Sequence, residues 1–220
     1  MSKRVAVFAR PSVAGKVKTR LSPALPPASV AGLYAAMLLD TLDVARGCAA
    51  DERTLWWSGE PLAEAPPSGF CVREQKGEDL GARMANAFEA LLQSPGDRVV
   101  IVGADLPELR SADLDRAFDS LTSHDLVLGP AFEGGYWLVG LSRGAPELFA
   151  NIAWSTDHVF AQTLGAAAAI GLRVRSLEAR RDLETPADLV LAVAAAATDE
   201  ERGFGPNARA ALRRMGMRPG

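Results

Sequence analysis

Four cations share one short stretch near the start of the sequence. Arg10, Lys16, Lys18 and Arg20 lie in the run ARPSVAGKVKTRL, together with a proline and a glycine. Backbone amides of a glycine loop can cradle phosphate oxygens, with lysine adding a mobile charge and arginine a forked donor. If the loop is extended, positions 16, 18 and 20 point the same way. It is not a Walker A loop: Arg10 stands where the first glycine belongs, and Val17 where Ser or Thr follows the lysine. A solvated basic loop explains the same residues, so both readings stand at this point.

Two acidic segments are the natural partners of such cations. In Gly103-Ala104-Asp105-Leu106-Pro107 a carboxylate follows an apolar run; in Asp182-Leu183-Glu184-Thr185-Pro186 two acids alternate before a helix start. Carboxylates together with substrate phosphates are the usual ligands of Mg²⁺, and acids from distant segments can complete such a site. The plainer alternatives are a turn aspartate at 105 and acids favoured by a helix dipole at 182 and 184.

Two glycine-bearing segments come next. Phe132-Glu133-Gly134-Gly135-Tyr136-Trp137 suits either a close approach to a sugar or acceptor, or an ordinary hairpin turn. Gly77-Glu78-Asp79-Leu80-Gly81-Ala82-Arg83 opens a helix whose free amides suit an anion, or is a plain cap by Asp79. Trp154-Ser155-Thr156-Asp157 precedes His158 as a capped helix start that also suits a place near a substrate. His124 and His158 have no serine or cysteine pattern beside them, and neither G-x-S-x-G nor H-E-x-x-H occurs.

The elements that must hold these residues alternate between strand-like and helix-like patterns. Val5–Ala9, Thr54–Trp57, Phe70–Arg73, Val99–Val102, Leu126–Leu128, Tyr136–Leu141 and Leu172–Leu177 read as strands. The continuous apolar run at 99–102 suits a central strand covered on both faces. Apolar residues at Val30, Leu33, Tyr34, Met37, Leu38 and Leu42, and at Leu80, Met84, Ala87, Phe88 and Leu91, trace helical faces. Ser111 is expected to cap a third helix, and Thr185-Pro186-Ala187-Asp188 to start another. This order predicts an α/β domain around a mostly parallel sheet, in which ligands bind beyond the carboxyl ends of the strands.

The 220 residues suit one domain, taken as 1–197, with a tail, 198–220, read as a short solvated helix. A hydrophobic fraction of 48% and a charged fraction of 23% exclude a disordered or fibrous chain. A net charge of -3 gives no general pull toward nucleic acid. No run reads as long and apolar enough to span a bilayer. Cys48 and Cys71 suggest neither a disulfide framework nor a zinc site, which fits a reducing cytoplasm. Nothing in the pattern sets an oligomeric state.

Taken in order, AVFARPSVAGKVKTRL, KGEDLGARMANAF, IVGADLPEL, LGPAFEGGYWLVGL, AWSTDHV and RDLETPADL resemble the small bacterial nucleotide-diphospho-sugar transferases of glycosyltransferase A type, often labelled radical-SAM/selenodomain-associated transferases. KTRL, ADLP and ETPADL are also similar to segments of 2-phospho-lactate guanylyltransferases. The resemblance covers about Val5 to Val193. It implies a three-layer α/β/α sandwich with a mostly parallel mixed sheet, and an Mg²⁺- or Mn²⁺-dependent transferase acting on a nucleotide and a small acceptor. On this match Asp105 is the metal aspartate, and Asp182 or Glu184 supplies the second ligand. Arg10, Lys16, Lys18, Arg20, Asp79 and Gly81 fall on the nucleotide side, and Glu133, Gly134, Gly135, Tyr136, Trp154 and Ser155 on the acceptor side. Lys18, Arg20 and Asp105 are the expected catalytic set, in either nucleotidyl or glycosyl transfer. A non-catalytic nucleotide-binding module is the remaining class, disfavoured by the presence of all three acids.

Overall fold

The computed structural model describes residues 1–59, 66–198 and 203–217. Among them, seven strands form one sheet: β1 (Lys3–Ala9), β2 (Glu52–Trp57), β3 (Cys71–Glu74), β4 (Arg98–Gly103), β5 (Leu126–Pro130), β6 (Tyr136–Leu141) and β7 (Val174–Ser176). Their order is β3-β2-β1-β4-β6-β5-β7. Only β6 runs against its neighbours, pairing antiparallel with both β4 and β5, while the other pairings are parallel. The expected mostly parallel mixed sheet is what forms.

Alternation within the strands sorts side chains onto the two faces. Val5, Val7, Val100 and Val102 face one helical layer, α1 (Pro27–Gly47) and α3 (Ser111–Ser120), through Leu42, Leu114 and Phe118. Ala6, Val99, Ile101 and Leu128 face the other, α2 (Leu80–Leu91) and α4 (Val159–Ala169), through Met84, Phe88 and Ala167. Each fully buried Leu or Phe contributes about 1.5–3 kcal/mol, which is why the strands carry apolar residues on both faces.

A third apolar cluster lies outside this sandwich. Leu33 and Met37 of α1 pack with Leu183, with Leu189 of α5 (Pro186–Thr198), and with Ala208 and Leu212 of α6 (Pro206–Arg214). The expectation of a solvated tail is therefore corrected for residues 203–217: Phe204, Ala208, Ala211 and Leu212 are buried. The Asp40 carboxylate of α1 accepts the first amides of α6, from Asn207 and Ala208, both at 2.9 Å. The rest of the tail lies outside the described residues.

Two further expectations change. Ser111 is the first residue of α3 rather than its cap; its hydroxyl donates to the Val44 carbonyl at 2.7 Å, while Asp113 accepts the Arg110 amide at 2.9 Å. And α1 is, among the described residues, the one helix long and apolar enough to cross a membrane; half of that stretch is buried in this fold. Its inner face packs on the sheet and its outer face takes α6, the setting of a core helix.

Candidate active site

The strand ends set the site. A cleft of about 380 Å³ opens where β1 and β4 finish, lined by Arg10, Lys16, Lys18 and Arg20 from the loop after β1 and by Asp105 after β4. Glu184, from the segment before α5, lies across from them.

The loop after β1 is held at two points. Val17 is buried with Ala31, Tyr34 and Ala104, and Leu21 is buried in the cluster beneath α1. Between them the chain turns rather than extends. Gly15 has φ +75°, Lys18 is left-handed at φ 45°, ψ 42°, and Thr19–Leu21 form one turn of 3-10 helix closed by the Leu21 amide on the Lys18 carbonyl at 2.9 Å. The extended alternation of positions 16, 18 and 20 is therefore absent, and the cations part company. Lys16 is exposed, and Arg20 lies 3.9 Å from Glu133.

Lys18 alone turns inward. Its side chain is 9% exposed, and Nζ lies 3.0 Å from Asp105 Oδ1 and 2.5 Å from Glu184 Oε1. Burial works to lower the pKa of this ammonium, but Asp105 and Glu184 outweigh it and hold the group above the ordinary lysine value.

The two acidic segments are joined through the backbone: the Leu183 amide donates to the Asp105 carbonyl at 2.9 Å. Leu183 itself is fully buried. Thr185 caps α5 as its sequence requires, with Asp188 accepting the Thr185 amide at 2.8 Å and the Thr185 hydroxyl accepting the Asp188 amide at 3.3 Å. Asp182 has a buried carboxylate oxygen with no hydrogen-bond partner among the described residues. Burial, followed by the charge of Asp105, pushes its pKa to about 7. The orphaned Asp182 oxygen, coupled by charge to Asp105 and Glu184, and those two carboxylates are hard, oxygen-only donors, the type that Mg²⁺ or Mn²⁺ takes. No group of three or more His, Cys, Asp or Glu in ligating arrangement occurs among the described residues, and Lys18 fills the space between Asp105 and Glu184.

Residues 38–156, over half of the chain, match a family described as "Uncharacterized protein conserved in bacteria (DUF2064)". The chain belongs to the DUF2064 family. Its curated relatives are guanylyltransferases. It is 30% identical over 202 residues to a phosphoenolpyruvate guanylyltransferase of Streptosporangium roseum, covering 90% of this chain and 86% of that one. A 3-phospho-D-glycerate guanylyltransferase of Phenylobacterium zucineum is 33% identical over 136 residues, and the match spans 59% of this chain and only 62% of that relative's length. Among solved structures, a Desulfovibrio desulfuricans G20 protein assigned as a nucleotide-diphospho-sugar transferase is 29% identical, with TM-score 0.85 over 97% of this chain and 95% of that one. A manganese complex of Rv0371C from Mycobacterium tuberculosis shares the fold alone, at 20% identity and TM-score 0.51 over 87% of this chain and 97% of the other.

Within this DUF2064 chain the nucleotide-side cations, Asp105, Glu184 and Tyr136 are brought together around the cleft. Asp182 does not line the cleft: it lines a separate pocket with Pro107, Leu183 and Asp188, and reaches the site through the charge of Asp105. Asp79, Gly81, Glu133, Gly134, Gly135, Trp154 and Ser155 are not among the lining residues. Packing accounts for several of them. Asp79 caps α2 by accepting the Ala82 amide at 2.7 Å. A Cβ on Gly81 would come within 2.6 Å of the Trp154 indole. Gly134, at φ +85°, is the turn of the β5–β6 hairpin, and a Cβ there would meet the Asp157 carbonyl at 2.1 Å. That contact, with the Phe160 amide on the Gly134 carbonyl at 2.8 Å, fixes the loop carrying Trp154 and Ser155 to the hairpin.

Leu80, from the Gly77–Arg83 segment, lines the cleft, and sequence reasoning assigned no site role to Tyr34, Ser58, Gln75 and Met84, which line it too. Ser58 and Gln75 follow β2 and β3 directly, so the strand-end rule reaches them. Gln75 donates to the carbonyls of Ala9 and Trp56, at 3.0 and 2.8 Å, tying the ends of β1 and β2. Tyr34 accepts the Arg10 amide at 3.2 Å; its helical periodicity had marked it as core only.

Proposed function

We propose that this chain is a divalent-metal-dependent nucleotidyltransferase that moves a guanylyl group from GTP to the phosphate of a small phosphorylated acid. The observation that carries this reading is the clustering of Arg10, Lys16, Lys18 and Arg20 against Asp105 and Glu184 at the ends of β1 and β4. The acceptor class and the base come from the guanylyltransferase relatives. A phosphate oxygen of the acceptor attacks the α-phosphorus, the α,β-bridging bond breaks, and pyrophosphate departs with the electron pair. Lys16 and Arg20 offset the charge of the departing phosphates, and the site's work is positioning and charge stabilisation. Asp105, Asp182 and Glu184 are the residues that would hold Mg²⁺ or Mn²⁺. The ion, when bound, supplies neutralisation of phosphate charge. Glu133 and Gly134, at the hairpin turn opposite Arg20, belong to the acceptor side of this reading. So do Gly135, Tyr136, Trp154 and Ser155. A cytoplasmic setting goes with these small charged substrates and with two unpaired cysteines.

The likeness to the Desulfovibrio structure favours a second reading, transfer of a sugar from a nucleotide sugar in the same cleft. Incubating the chain with Mg²⁺, nucleoside triphosphates or nucleotide sugars, and phosphorylated acids separates the two. Pyrophosphate release supports nucleotidyl transfer; nucleoside diphosphate release from a nucleotide sugar replaces it with glycosyl transfer.

A further inference from the structure

Lys18 combines features that a simple phosphate-binding lysine does not need. Its side chain is almost wholly buried, its ammonium is held by carboxylates from two distant segments, and its backbone is left-handed although it is not glycine. Non-glycine residues in that region are uncommon and persist where their surroundings over-determine them. A lysine ammonium is a compact point charge, the side-chain group nearest in form to a bound inorganic cation. It sits between Asp105 and Glu184, two of the three carboxylates proposed to hold the metal. Beyond them, Asp182 keeps a buried oxygen without a partner among the described residues.

We propose that Lys18 is a built-in stand-in cation: it neutralises Asp105 and Glu184 in the free chain and surrenders them to a divalent ion when a nucleotide's polyphosphate takes the ammonium instead. The inference rests on the metal reading above. An ammonium and a divalent ion between the same carboxylates repel at such short range, although Asp105 and Glu184 themselves face the open cleft. One must leave for the other to enter. The cleft beside Lys18, lined by Lys16 and Arg20, is where a polyphosphate lies in the proposed reaction, so the displaced ammonium exchanges carboxylates for phosphate oxygens. Two consequences follow. The free chain holds the metal weakly, and metal and nucleotide strengthen each other by the same factor, as linkage requires.

The test is Mn²⁺ binding to the full chain, read by electron paramagnetic resonance of the free ion. The titrations are run without nucleotide and with guanosine 5′-(α,β-methylene)triphosphate, whose α,β link is not cleaved. Wild type should bind Mn²⁺ at least tenfold more tightly with the analogue. Lys18→Met without nucleotide should bind Mn²⁺ at least tenfold more tightly than wild type, and adding Asp105→Asn should remove that gain. Lys18→Met binding within twofold of wild type overturns the exchange. If wild type with analogue still binds Mn²⁺ and needs Asp105 to do so, the metal site itself survives that result. No Mn²⁺ bound by either protein with analogue present overturns the metal reading and the exchange with it. A second measurement uses wild type alone and does not depend on the variant folding. Without nucleotide, acylation of Lys18, followed by mass spectrometry and referenced to Lys16, should rise at least threefold once saturating Mn²⁺ occupies the site. Unchanged labelling at an occupancy verified by resonance overturns the proposal.

Discussion

Arg180 grips Asp113 with both terminal guanidinium nitrogens, at 2.7 and 2.6 Å. Asp113 lies in the first turn of α3, and Arg180 lies two residues before Asp182, so the pair fixes the acidic segment to the helical layer behind it. The same guanidinium covers the Trp137 ring at 5.1 Å, and Trp137 in turn donates to the Glu178 carbonyl at 3.3 Å. Both partners of the ion pair are largely buried. Removing Arg180 leaves Asp113 a buried carboxylate without its ion-pair partner, with the Arg110 amide still on it, which costs about 3–5 kcal/mol. Arg180→Met should lose that much in urea unfolding and lower turnover through a displaced Asp182. Stability within 1 kcal/mol of wild type, on the order of an exposed pair, would show that the acidic segment is held by other contacts.

Asp105→Asn keeps the shape of the strand end and removes its charge. Loss of one such electrostatic partner costs about 10²-fold or more in rate. The variant should keep its melting temperature within a few degrees and lose nearly all turnover at saturating Mg²⁺. Turnover within a few-fold of wild type removes Asp105 from the reaction.

Arg20 is exposed and points across the cleft mouth to Glu133. A charge-assisted hydrogen bond to phosphate is worth about 1.5–3 kcal/mol, so Arg20→Ala should weaken GTP binding about tenfold or more. Binding of GMP should change much less, because the lost contact is to the outer phosphates. Calorimetric titration with both nucleotides checks this, and equal losses for the two would place Arg20 elsewhere.

Gly134→Ala adds a Cβ 2.1 Å from the Asp157 carbonyl at a φ of +85°. The strained backbone alone costs about 1–3 kcal/mol, and the steric clash adds to it. Thermal melts should show the loss. Gly135→Ala, where a Cβ meets nothing within 4 Å, is the control and should sit close to wild type.

Acid stability should report on Asp97. Amides of Ser2 and Ser94 and the Arg4 guanidinium hold its pKa down from 3.8 to about 2, against the opposing effect of burial. Because the folded value lies below the unfolded one, the stabilisation is complete above pH 4–5. It fades as the pH falls toward 2, at about 2 kcal/mol in total. Asp97→Asn should flatten that part of the stability–pH curve; an unchanged slope between pH 4 and 2 would assign the acid loss to other carboxylates.

The fold was legible because its signals are local. The apolar runs at Val5–Ala9 and Val99–Val102 are strands buried on both faces, and the Thr185–Asp188 pattern forms its reciprocal cap. The meeting of Asp105, Glu184 and the loop after β1 was reachable through the strand-end rule and the resemblance. What stayed hidden was long-range. Nothing near Lys18 in sequence says that it turns inward while Lys16 and Arg20 stay out, since that depends on where Val17 and Leu21 find their pockets. The roles of Gly81 and Gly134 likewise rest on Trp154 and Asp157, partners that arrive from far along the chain. The tail looked polar because its apolar residues, Phe204, Ala208 and Leu212, are spaced for one narrow contact with α1.

That contact has a consequence for how the protein is made. Helix α1 is synthesised early and α6 long after it, so the surface formed by Leu33 and Met37 lacks the cover of α6 until residues 206–214 are made. Closing it means joining ends of a very long loop, a slow class of contact. A nascent chain stalled before Phe204 therefore presents an apolar helix, long enough to resemble a membrane segment, with its final cover not yet made.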